Sequence, residues 1–325
     1  MSTHISVPPQ LLLERILTLE LVRVTERAAV SAARLRGHGN EKAADQAAVD
    51  AMRRELNKLP IEGTVVIGEG ERDEAPMLYI GEKVGYGGLK VDIALDPLEG
   101  TTLTAKALPN ALAVMAMAEP GTLLNAPDTY MDKIAIGPGY ADGVIDLDAD
   151  PADNIVSLAK AKGVAPHEIT ALVLDRPRHE KIIASCRKVG ASVQLITDGD
   201  VAGVIATTNP DTGIDIYIGQ GGAPEGVLAA AALRCVGGQI QTRLVFKKDD
   251  ERRRAEKLGI TDFNKKYTLM DLASGDVVFS ATGVTDGSML HGVRRDGDYV
   301  TTESVVMRSA TGTVRWIRAR HRRNG

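Results

Sequence analysis

The sequence predicts a mixed α/β (α+β) protein of two lobes, in which helices and sheets pack in layers. The chain has 325 residues, which is enough to bury a large core. Hydrophobic residues make up 44% of it but aromatic residues only 3%, so the core must be aliphatic, as is typical of layered helices and sheets. In the second half, strand-like runs alternate with helix-like runs, which predicts successive βα units.

A boundary between the lobes is expected near residue 150, where Asp148–Asp153 is rich in Asp, Ala and Pro. We therefore expect an N-terminal lobe over residues 1–150 and a C-terminal lobe over residues 151–325, working as one functional unit. The basic run Arg315–Arg323 contains one aromatic residue, Trp316, and is expected to be a solvated terminus or a subunit contact rather than a nucleic-acid site.

Charge and cysteine content exclude several classes of protein. The 39 basic and 43 acidic residues give a net charge of −4, which argues against a chain-wide nucleic-acid surface. The first ten residues lack a signal-peptide pattern and no run has the length of a membrane span, so no membrane partner is expected. Cys186 and Cys235 lie far apart and are expected to be reduced and buried. We therefore expect a cytoplasmic protein.

Two helices are predicted near the N-terminus, over Leu11–Leu35 and over Lys42–Lys58. In the second, Val49 and Met52 belong to the inward face, and Asp45 lies four residues before Val49 on the same stripe. A carboxylate on an apolar stripe needs a cation or hydrogen bonds, although an Asp near a first helical turn can also serve the helix dipole.

Acidic residues follow two neighbouring strands at the point where each strand ends. Val91–Asp96 alternates as a half-buried strand does, and Pro97 is expected to end it, with Gly100 turning Glu99 back towards Asp96. The preceding strand, Thr64–Ile67, ends in a glycine-rich turn that carries Glu69.

Together these acidic side chains predict a metal centre. Asp45, Glu69, Asp96 and Glu99, with Glu71 and Asp73 nearby, would repel one another strongly without a bound cation. Carboxylates alone suit a hard divalent ion, Mg²⁺ or Mn²⁺. The Thr101 hydroxyl, or the carboxylate of Glu69 or Asp73, is a candidate for orienting an attacking water.

The predicted βα units of the second half carry polar residues where their strands end, which is where open α/β sheets bind ligands. Arg176, Arg178 and His179 follow one strand and are expected to form a cationic clamp for a phosphate. Asp198-Gly-Asp200 follows the next strand, and Gly219–Gly226 follows the third. Pro224 stands where a nicotinamide fingerprint needs its third glycine, so that type of site is not favoured. Carboxylates opposite a cationic clamp predict metal-dependent hydrolysis of a phosphate ester.

Longer motifs in the sequence resemble those of a known protein family. Ile67-Gly-Glu-Gly-Glu-Arg-Asp-Glu-Ala-Pro-Met-Leu-Tyr-Ile-Gly-Glu-Lys-Val-Gly85 and Asp92-Ile-Ala-Leu-Asp-Pro-Leu-Glu-Gly-Thr101 resemble class II fructose-1,6-bisphosphatase of the GlpX type. The resemblance continues over nearly the whole chain, in the family's order, through Asn125-Ala-Pro-Asp128, Pro177-Arg-His179, Asp198-Gly-Asp200 and Gly221-Gly-Ala-Pro-Glu-Gly226. Asp96-Pro-Leu-Glu-Gly-Thr101 also resembles, with Glu for Asp, a turn of the wider lithium-sensitive sugar and inositol phosphatases.

The resemblance implies a layered α-β-α-β-α sugar-phosphatase fold and removal of the 1-phosphate of fructose 1,6-bisphosphate in gluconeogenesis. It implies an N-terminal metal-binding phosphatase lobe, a C-terminal substrate-binding lobe, and Mn²⁺ or Mg²⁺ as cofactor. The metal ligands that it implies are Asp45, Glu69, Asp96, Glu99 and Glu225. Thr101 would assist the nucleophilic water. The substrate contacts that it implies are Glu99, Gly100, Thr101, Tyr130, Arg176, Pro177, Arg178, Asp198, Gly199, Asp200 and Gly222, to which the clamp adds His179.

Several alternatives remain at this stage. Sedoheptulose 1,7-bisphosphatase activity, alone or beside the fructose activity, and inositol monophosphatase activity would use the same residue types. A regulator that binds sugar phosphates without turnover is a non-enzymatic alternative. We also expect a homodimer or homotetramer.

Overall fold

The computed structural model describes residues 17–70 and 76–322, which form two mixed sheets with helices between and around them. The helices, in chain order, are α1 (Leu17–Ala32), α2 (Glu41–Leu56), α3 (Thr101–Ala105), α4 (Pro151–Lys162), α5 (Glu180–Lys188), α6 (Asp200–Ala206), α7 (Ala223–Val236), α8 (Asp249–Lys257) and α9 (Leu269–Leu272). The strands are β1 (Ile61–Ile67), β2 (Lys83–Val84), β3 (Leu89–Glu99), β4 (Leu112–Ala118), β5 (Tyr130–Ile136), β6 (Thr170–Leu174), β7 (Ser192–Ile196), β8 (Ile216–Gly222), β9 (Gln239–Val245), β10 (Tyr267–Thr268), β11 (Val277–Gly283), β12 (Arg294–Asp296), β13 (Tyr299–Arg308) and β14 (Thr313–Arg322).

The first sheet has eight strands in the order β12-β13-β11-β4-β3-β1-β2, and β14 also pairs with β13. Strands β1 and β3 run parallel, whereas β4 and β11 join antiparallel. The second sheet has six strands in the order β10-β9-β5-β8-β6-β7, with β6 parallel to both β7 and β8. Both sheets are therefore mixed, and the βα units predicted in the second half account only for the β6–β7–β8 part.

Helices α1 and α2 cover one face of the first sheet. Val91, Ile93 and Leu95 of β3 pack in the same core as these helices, whereas Ala94 faces the other way. Alternate residues of a strand point to opposite faces, so a strand covered on both sides is apolar at nearly every position. The run Leu112–Ala118 of β4 is buried throughout for the same reason.

Helix α7 lies between the two sheets and carries the central core. It contacts β3, β4, β11 and β13 of the first sheet and β5, β8 and β9 of the second. Its residues Val227–Leu233 are all buried. A helix that is apolar on every side must be enclosed, which is why this sequence shows no amphipathic stripe.

Helices α4 and α5 cover the outer face of the second sheet. Ile155 and Leu158 of α4 pack with Ile134 and Ile136 of β5 and with Ile216 of β8. The order of layers is helix, sheet, helix, sheet, helix, which confirms the predicted layered α/β (α+β) fold.

The end of β3 and the end of α1 differ from the sequence-based expectation. Strand β3 continues through Pro97 to Glu99 rather than ending at Asp96, because a bulge opposite β4 accommodates a residue without an N–H. Helix α1 closes at Ala32 with one short 3₁₀ turn after it, and the predicted residues before Leu17 lie outside the described residues.

Sheet membership does not follow a division at residue 150. Strand β5 lies before that point but belongs to the second sheet, and β11–β14 return to the first. That the lobes are separate units stays a prediction. Cys186 and Cys235 are buried and unpaired. None of the described helices is long and apolar enough to cross a bilayer.

The enclosure of α7 can be tested with Leu233→Ala. Leu233 is fully buried, so truncation should lower the free energy of unfolding by about 2–5 kcal/mol. Denaturant unfolding in urea measures this value. The control is Val156→Ala on α4, where the side chain is 45% exposed and the change should stay within about 0.5 kcal/mol. Equal effects of the two substitutions would contradict this account of the core.

Candidate active site

The parallel pairing of β1 with β3 brings acidic residues to one edge of the first sheet. Ile67 of β1 pairs with Ala94 of β3, so Glu69 just beyond β1 lies level with Asp96. The backbone N–H of Glu69 donates to the Leu78 carbonyl at 3.1 Å, which fixes its position. The adjacency of these two strand ends agrees with the prediction from the sequence.

The turn after Asp96 is shaped by a bulge and a glycine. The Asp96 Oδ1 accepts a hydrogen bond from the Leu98 N–H at 3.0 Å. Gly100 has a φ of +85°, and a Cβ there would lie 2.8 Å from Leu103 Cδ1. A side chain at this position is therefore excluded twice, by conformation and by space. Helix α3 begins directly afterwards at Thr101.

Glu99 bridges the first sheet to the start of α6. Its Oε1 accepts a hydrogen bond from the backbone N–H of Val201 at 2.6 Å, at a helix end that favours an anion. Its Oε2 is buried and has no hydrogen-bond partner among the described residues. The first residue of α6 is Asp200, also buried, whose Oδ2 accepts from Lys133 Nζ at 2.5 Å.

Two adjacent glycines make room for two further carboxylates. A Cβ on Gly222 would lie 1.9 Å from Glu225 Oε2, and one on Gly221 would lie 1.9 Å from Asp200 Oδ2. Glu225 stands in the first turn of α7, and its Oε2 is buried without a partner among the described groups. The Gly221–Gly226 motif thus forms the wall against which Glu225 folds back.

These side chains line one pocket of about 310 Å³. The pocket brings together the acidic residues and turn residues singled out in the sequence, namely Asp45, Glu69, Asp96, Glu99, Gly100, Thr101, Asp198, Asp200 and Glu225. It also includes Asp128, which the sequence analysis quoted only as part of a motif. Asp73 lies outside the described residues.

Burial and mutual repulsion raise the pKa values of this group. Burial, followed by Glu69 and Glu225, places the pKa of Asp96 well above its ordinary value. Burial raises the pKa of Glu69 to about 8, with a smaller contribution from Asp45, whose own pKa burial also raises.

The pKa values of Glu99, beside α6, and Glu225, in α7, are also raised. The pKa of Glu99 is raised well above its ordinary value by burial and then by Asp200 and Asp96. Burial and then Asp200 raise the pKa of Glu225 to about 7, against the Lys133 ammonium, which lowers it. The site thus favours either protons or cations at these oxygens.

The donor set fits a hard divalent cation. All candidate ligands are carboxylate oxygens, and Glu99 and Glu225 each have a buried oxygen without a partner among the described residues. No three acidic, histidine or cysteine side chains within residues 17–70 and 76–322 are already arranged to hold one metal ion.

A cationic group lies around Tyr130, at the exposed start of β5. The Arg178 guanidinium is 5.2 Å from the centre of the Tyr130 ring, and Lys247 Nζ is 3.5 Å from it. Arg178 also donates to the Gln220 carbonyl from Nη2 at 2.6 Å, which holds its side chain. Lys247 was not identified from the sequence, because only the register of β5 against β9 brings it to Tyr130.

The rest of the predicted clamp is spread over the loop. Arg176 donates to the Asp175 carbonyl at 3.1 Å, and its charge lowers the pKa of Asp198 against the larger effect of burial, which raises it. Pro177 begins a 3₁₀ turn that ends at His179. Gly199, which precedes α6, has a φ of +90° that positions Asp198 and Asp200 on either side of it.

His179 does not take part in a cationic clamp in this structure. Its side chain is buried, with Nδ1 2.7 Å from the Leu174 carbonyl and Nε2 accepting from the Gln220 N–H at 2.9 Å. Burial lowers its pKa, so the imidazole is neutral at pH 7, with the proton on Nδ1. The expectation of a cation facing a ligand is corrected here: His179 ties the end of β6 to β8.

Comparisons with known proteins identify the family of this chain. The family of bacterial fructose-1,6-bisphosphatases encoded by glpX matches residues 15–321. The chain belongs to this family. Class 2 fructose-1,6-bisphosphatases of Escherichia coli K12, Escherichia coli O6:H1 and Shigella flexneri are each 46% identical to it over 324 residues. The matches cover 95% of this chain and 96% of each relative. The resemblance seen in the motifs is thereby confirmed, and the chain is a phosphatase of this family.

The raised pKa values predict how stability depends on pH when divalent ions are removed. Since the folded-state pKa values of Glu69 and Glu225 lie near 8 and 7, above the ordinary 4.5, the folded chain binds more protons than the unfolded chain between pH 4.5 and 8. Stability from these groups is therefore lost as pH rises. We expect the Tm of the EDTA-treated protein to fall by several degrees from pH 6 to pH 8.

Glu69→Gln should flatten this slope in thermal unfolding, whereas Glu62→Gln, at an exposed position of β1, should leave it unchanged. Saturating Mn²⁺ should reduce the slope in the unmodified chain. A metal-free Tm that rises between pH 6 and 8, with no difference between the two variants, would contradict the assignment.

Proposed function

We propose that this chain hydrolyses the 1-phosphate of fructose 1,6-bisphosphate to give fructose 6-phosphate and inorganic phosphate, in a reaction that requires a divalent cation. The observation that carries the proposal is the pocket in which acidic residues from both sheets and from α2 and α7 converge. Family membership and the 46% identity to class 2 fructose-1,6-bisphosphatases support the same activity. The usual place of this reaction is gluconeogenesis.

The acidic side chains would hold Mn²⁺ or Mg²⁺. The proposed ligands are Asp45, Glu69, Asp96, Glu99 and Glu225. When bound, the ions supply charge neutralisation at the phosphoryl oxygens and a more acidic water. Glu69 would also orient the water, together with the Thr101 hydroxyl. Asp73 stays a candidate for the same task from the sequence alone.

The remaining substrate would extend from the pocket towards Tyr130. Asp198 and Asp200, on either side of Gly199, offer acceptors for sugar hydroxyls, and Gly100 and Gly222 are proposed as further contacts of the substrate. Arg178 and Lys247 lie on the Tyr130 ring, where they would bind the phosphate that is not cleaved. Arg176 and Pro177 shape the loop beside them.

This second group of cations favours a bisphosphate over a monophosphate. An inositol monophosphate would leave Arg178 and Lys247 without an anionic partner. Sedoheptulose 1,7-bisphosphate offers the same two charges on a longer sugar, so it is the second candidate substrate. A binding protein without turnover is less favoured, because carboxylates suited to water activation line the pocket.

We also propose a cytoplasmic location and a homodimer or homotetramer. Strand β14 supports the second point, since it pairs with β13 and carries the 58% exposed side chain of Trp316. Exposed large aromatic side chains are enriched where subunits meet.

Asp96→Asn tests the metal-dependent chemistry. The amide keeps the shape but loses the charge that a divalent cation requires, so kcat should fall at least about a hundredfold. Phosphate release from fructose 1,6-bisphosphate at saturating Mn²⁺ measures it. The matched control is Asp50→Asn, an exposed position on the face of α2 away from Asp45, which should retain full activity. Full activity of the Asp96 variant would exclude the proposed centre.

Arg178→Ala tests the binding of the second phosphate. Because the guanidinium contributes binding energy away from the reacting bond, KM for fructose 1,6-bisphosphate should rise about tenfold or more, with a smaller change in kcat. Hydrolysis of fructose 1-phosphate should change little. Arg187→Ala on α5, also an exposed arginine, serves as control. An equal loss of activity on both substrates would place Arg178 at the cleaved phosphate instead.

A further inference from the structure

A lysine lies inside the protein, next to the acidic pocket. The side chain of Lys133 is only 1% exposed, and it lies on the face of β5 that also carries Met131 and Ala135. That face packs against α7. A lysine within an apolar layer is costly unless its ammonium group has a partner, because desolvation of one charge costs several kcal/mol.

The partner is Asp200, at 2.5 Å from Lys133 Nζ. Asp200 is itself only 7% exposed, so the two charges form a buried ion pair. Glycines provide the space: a Cβ on Gly221 would lie 3.1 Å from Lys133 Nζ, and one on Gly226 would lie 3.2 Å from Lys133 Cε. The glycines of the motif thus accommodate Lys133 as well as the carboxylates.

Asp200 lies between this pair and the candidate metal ligands. It adjoins Glu99 at the start of α6, where Glu99 bonds to the Val201 N–H. The Asp200 carboxylate acts against the ionised forms of both Glu99 and Glu225, and the Lys133 ammonium acts in favour of ionised Glu225. The buried ammonium of Lys133 therefore faces the negative charge of three carboxylates at this wall of the pocket, those of Asp200, Glu99 and Glu225.

We propose that Lys133 is a positioning residue that holds Asp200 on the wall of the pocket, away from the divalent cation. Asp200 then stays free for the substrate, and the affinity of the remaining carboxylates for the cation stays moderate. The inference rests on the proposed function, because it requires a divalent cation at Glu99 and Glu225. It adds a role for Lys133, which neither touches the substrate nor ligates the cation.

The test is the Mn²⁺ concentration that gives half of the maximal thermal stabilisation of the full-length protein. Lys133→Met leaves one more negative charge beside the cation, so this midpoint should fall about tenfold. Asp200→Asn leaves an unpaired ammonium there, so the midpoint should rise about tenfold. The double variant removes both charges, and its midpoint should return to within about threefold of the starting value.

If the Lys133–Asp200 pair were merely structural, both single substitutions would lower the Tm of the metal-free protein, but they would not shift the Mn²⁺ midpoint in opposite directions. Lys162→Met provides the control, because Lys162 at the end of α4 pairs with Asp215, just before β8, at the same distance of 2.5 Å, and neither residue lines the pocket. If Lys133→Met does not fold, Asp200→Asn compared with the double variant still gives the effect of Lys133 alone.

The outcomes separate this inference from the proposed function. Absence of any Mn²⁺-dependent stabilisation in the unmodified protein would contradict the metal centre itself. The other contrary result is that Mn²⁺ stabilises the unmodified protein while the midpoints of the Lys133 and Asp200 variants stay unchanged or shift in the same direction. That result would overturn the role of Lys133 and leave the metal centre intact.

Discussion

Repulsion between buried carboxylates is the interaction on which the organisation of this site depends. Asp96 and Glu99 lie on the first sheet and Glu225 on α7, and the pKa of each is raised by burial and then by neighbouring carboxylates, Glu69 for Asp96 and Asp200 for Glu99 and Glu225. Such a group persists only because the fold holds it from several directions: a bulge in β3, the start of α6 and the glycines before α7. The energy stored in this repulsion is what a divalent cation would release.

The pocket and the cationic group lie in different parts of the architecture. The proposed metal ligands come from the first sheet, from α2 and from the start of α7, and Asp198 and Asp200 join them from the end of β7 and the start of α6. Arg178, Tyr130 and Lys247 belong to the second sheet and its loops. A substrate with one phosphate at each end would therefore contact both sheets. This arrangement explains how a single fold can separate the hydrolysed phosphate from the retained one.

The sequence predicted the local parts of this site better than the long-range ones. Asp45 followed from helical periodicity, and the proximity of Glu69 to Asp96 followed from two consecutive strands. The expectation that Pro97 ends β3 was wrong, because a bulge lets the strand continue past it.

Other parts depend on register and layer order, which short-range patterns do not contain. Glu225 had no ligand signature in its own segment, and it reaches the pocket because α7 lies between the sheets. Lys247 meets Tyr130 only through antiparallel pairing of β5 with β9. His179 stands beside two arginines in the sequence, but burial lowers its pKa, and both of its ring nitrogens contact backbone groups rather than the pocket.

The run of alanines in α7 determines how far apart the two sheets stand. Ala229, Ala230, Ala231 and Ala232 are all buried, and such small side chains let the neighbouring layers pack closely on the helix. Glu225 lies in the first turn of this same helix, while Asp96 and Glu99 lie on the first sheet and Tyr130 begins β5 of the second. The helix therefore acts as a spacer between the sheets, and the span between the acidic pocket and the cationic group around Tyr130 depends on packing in the core as well as on the charged side chains.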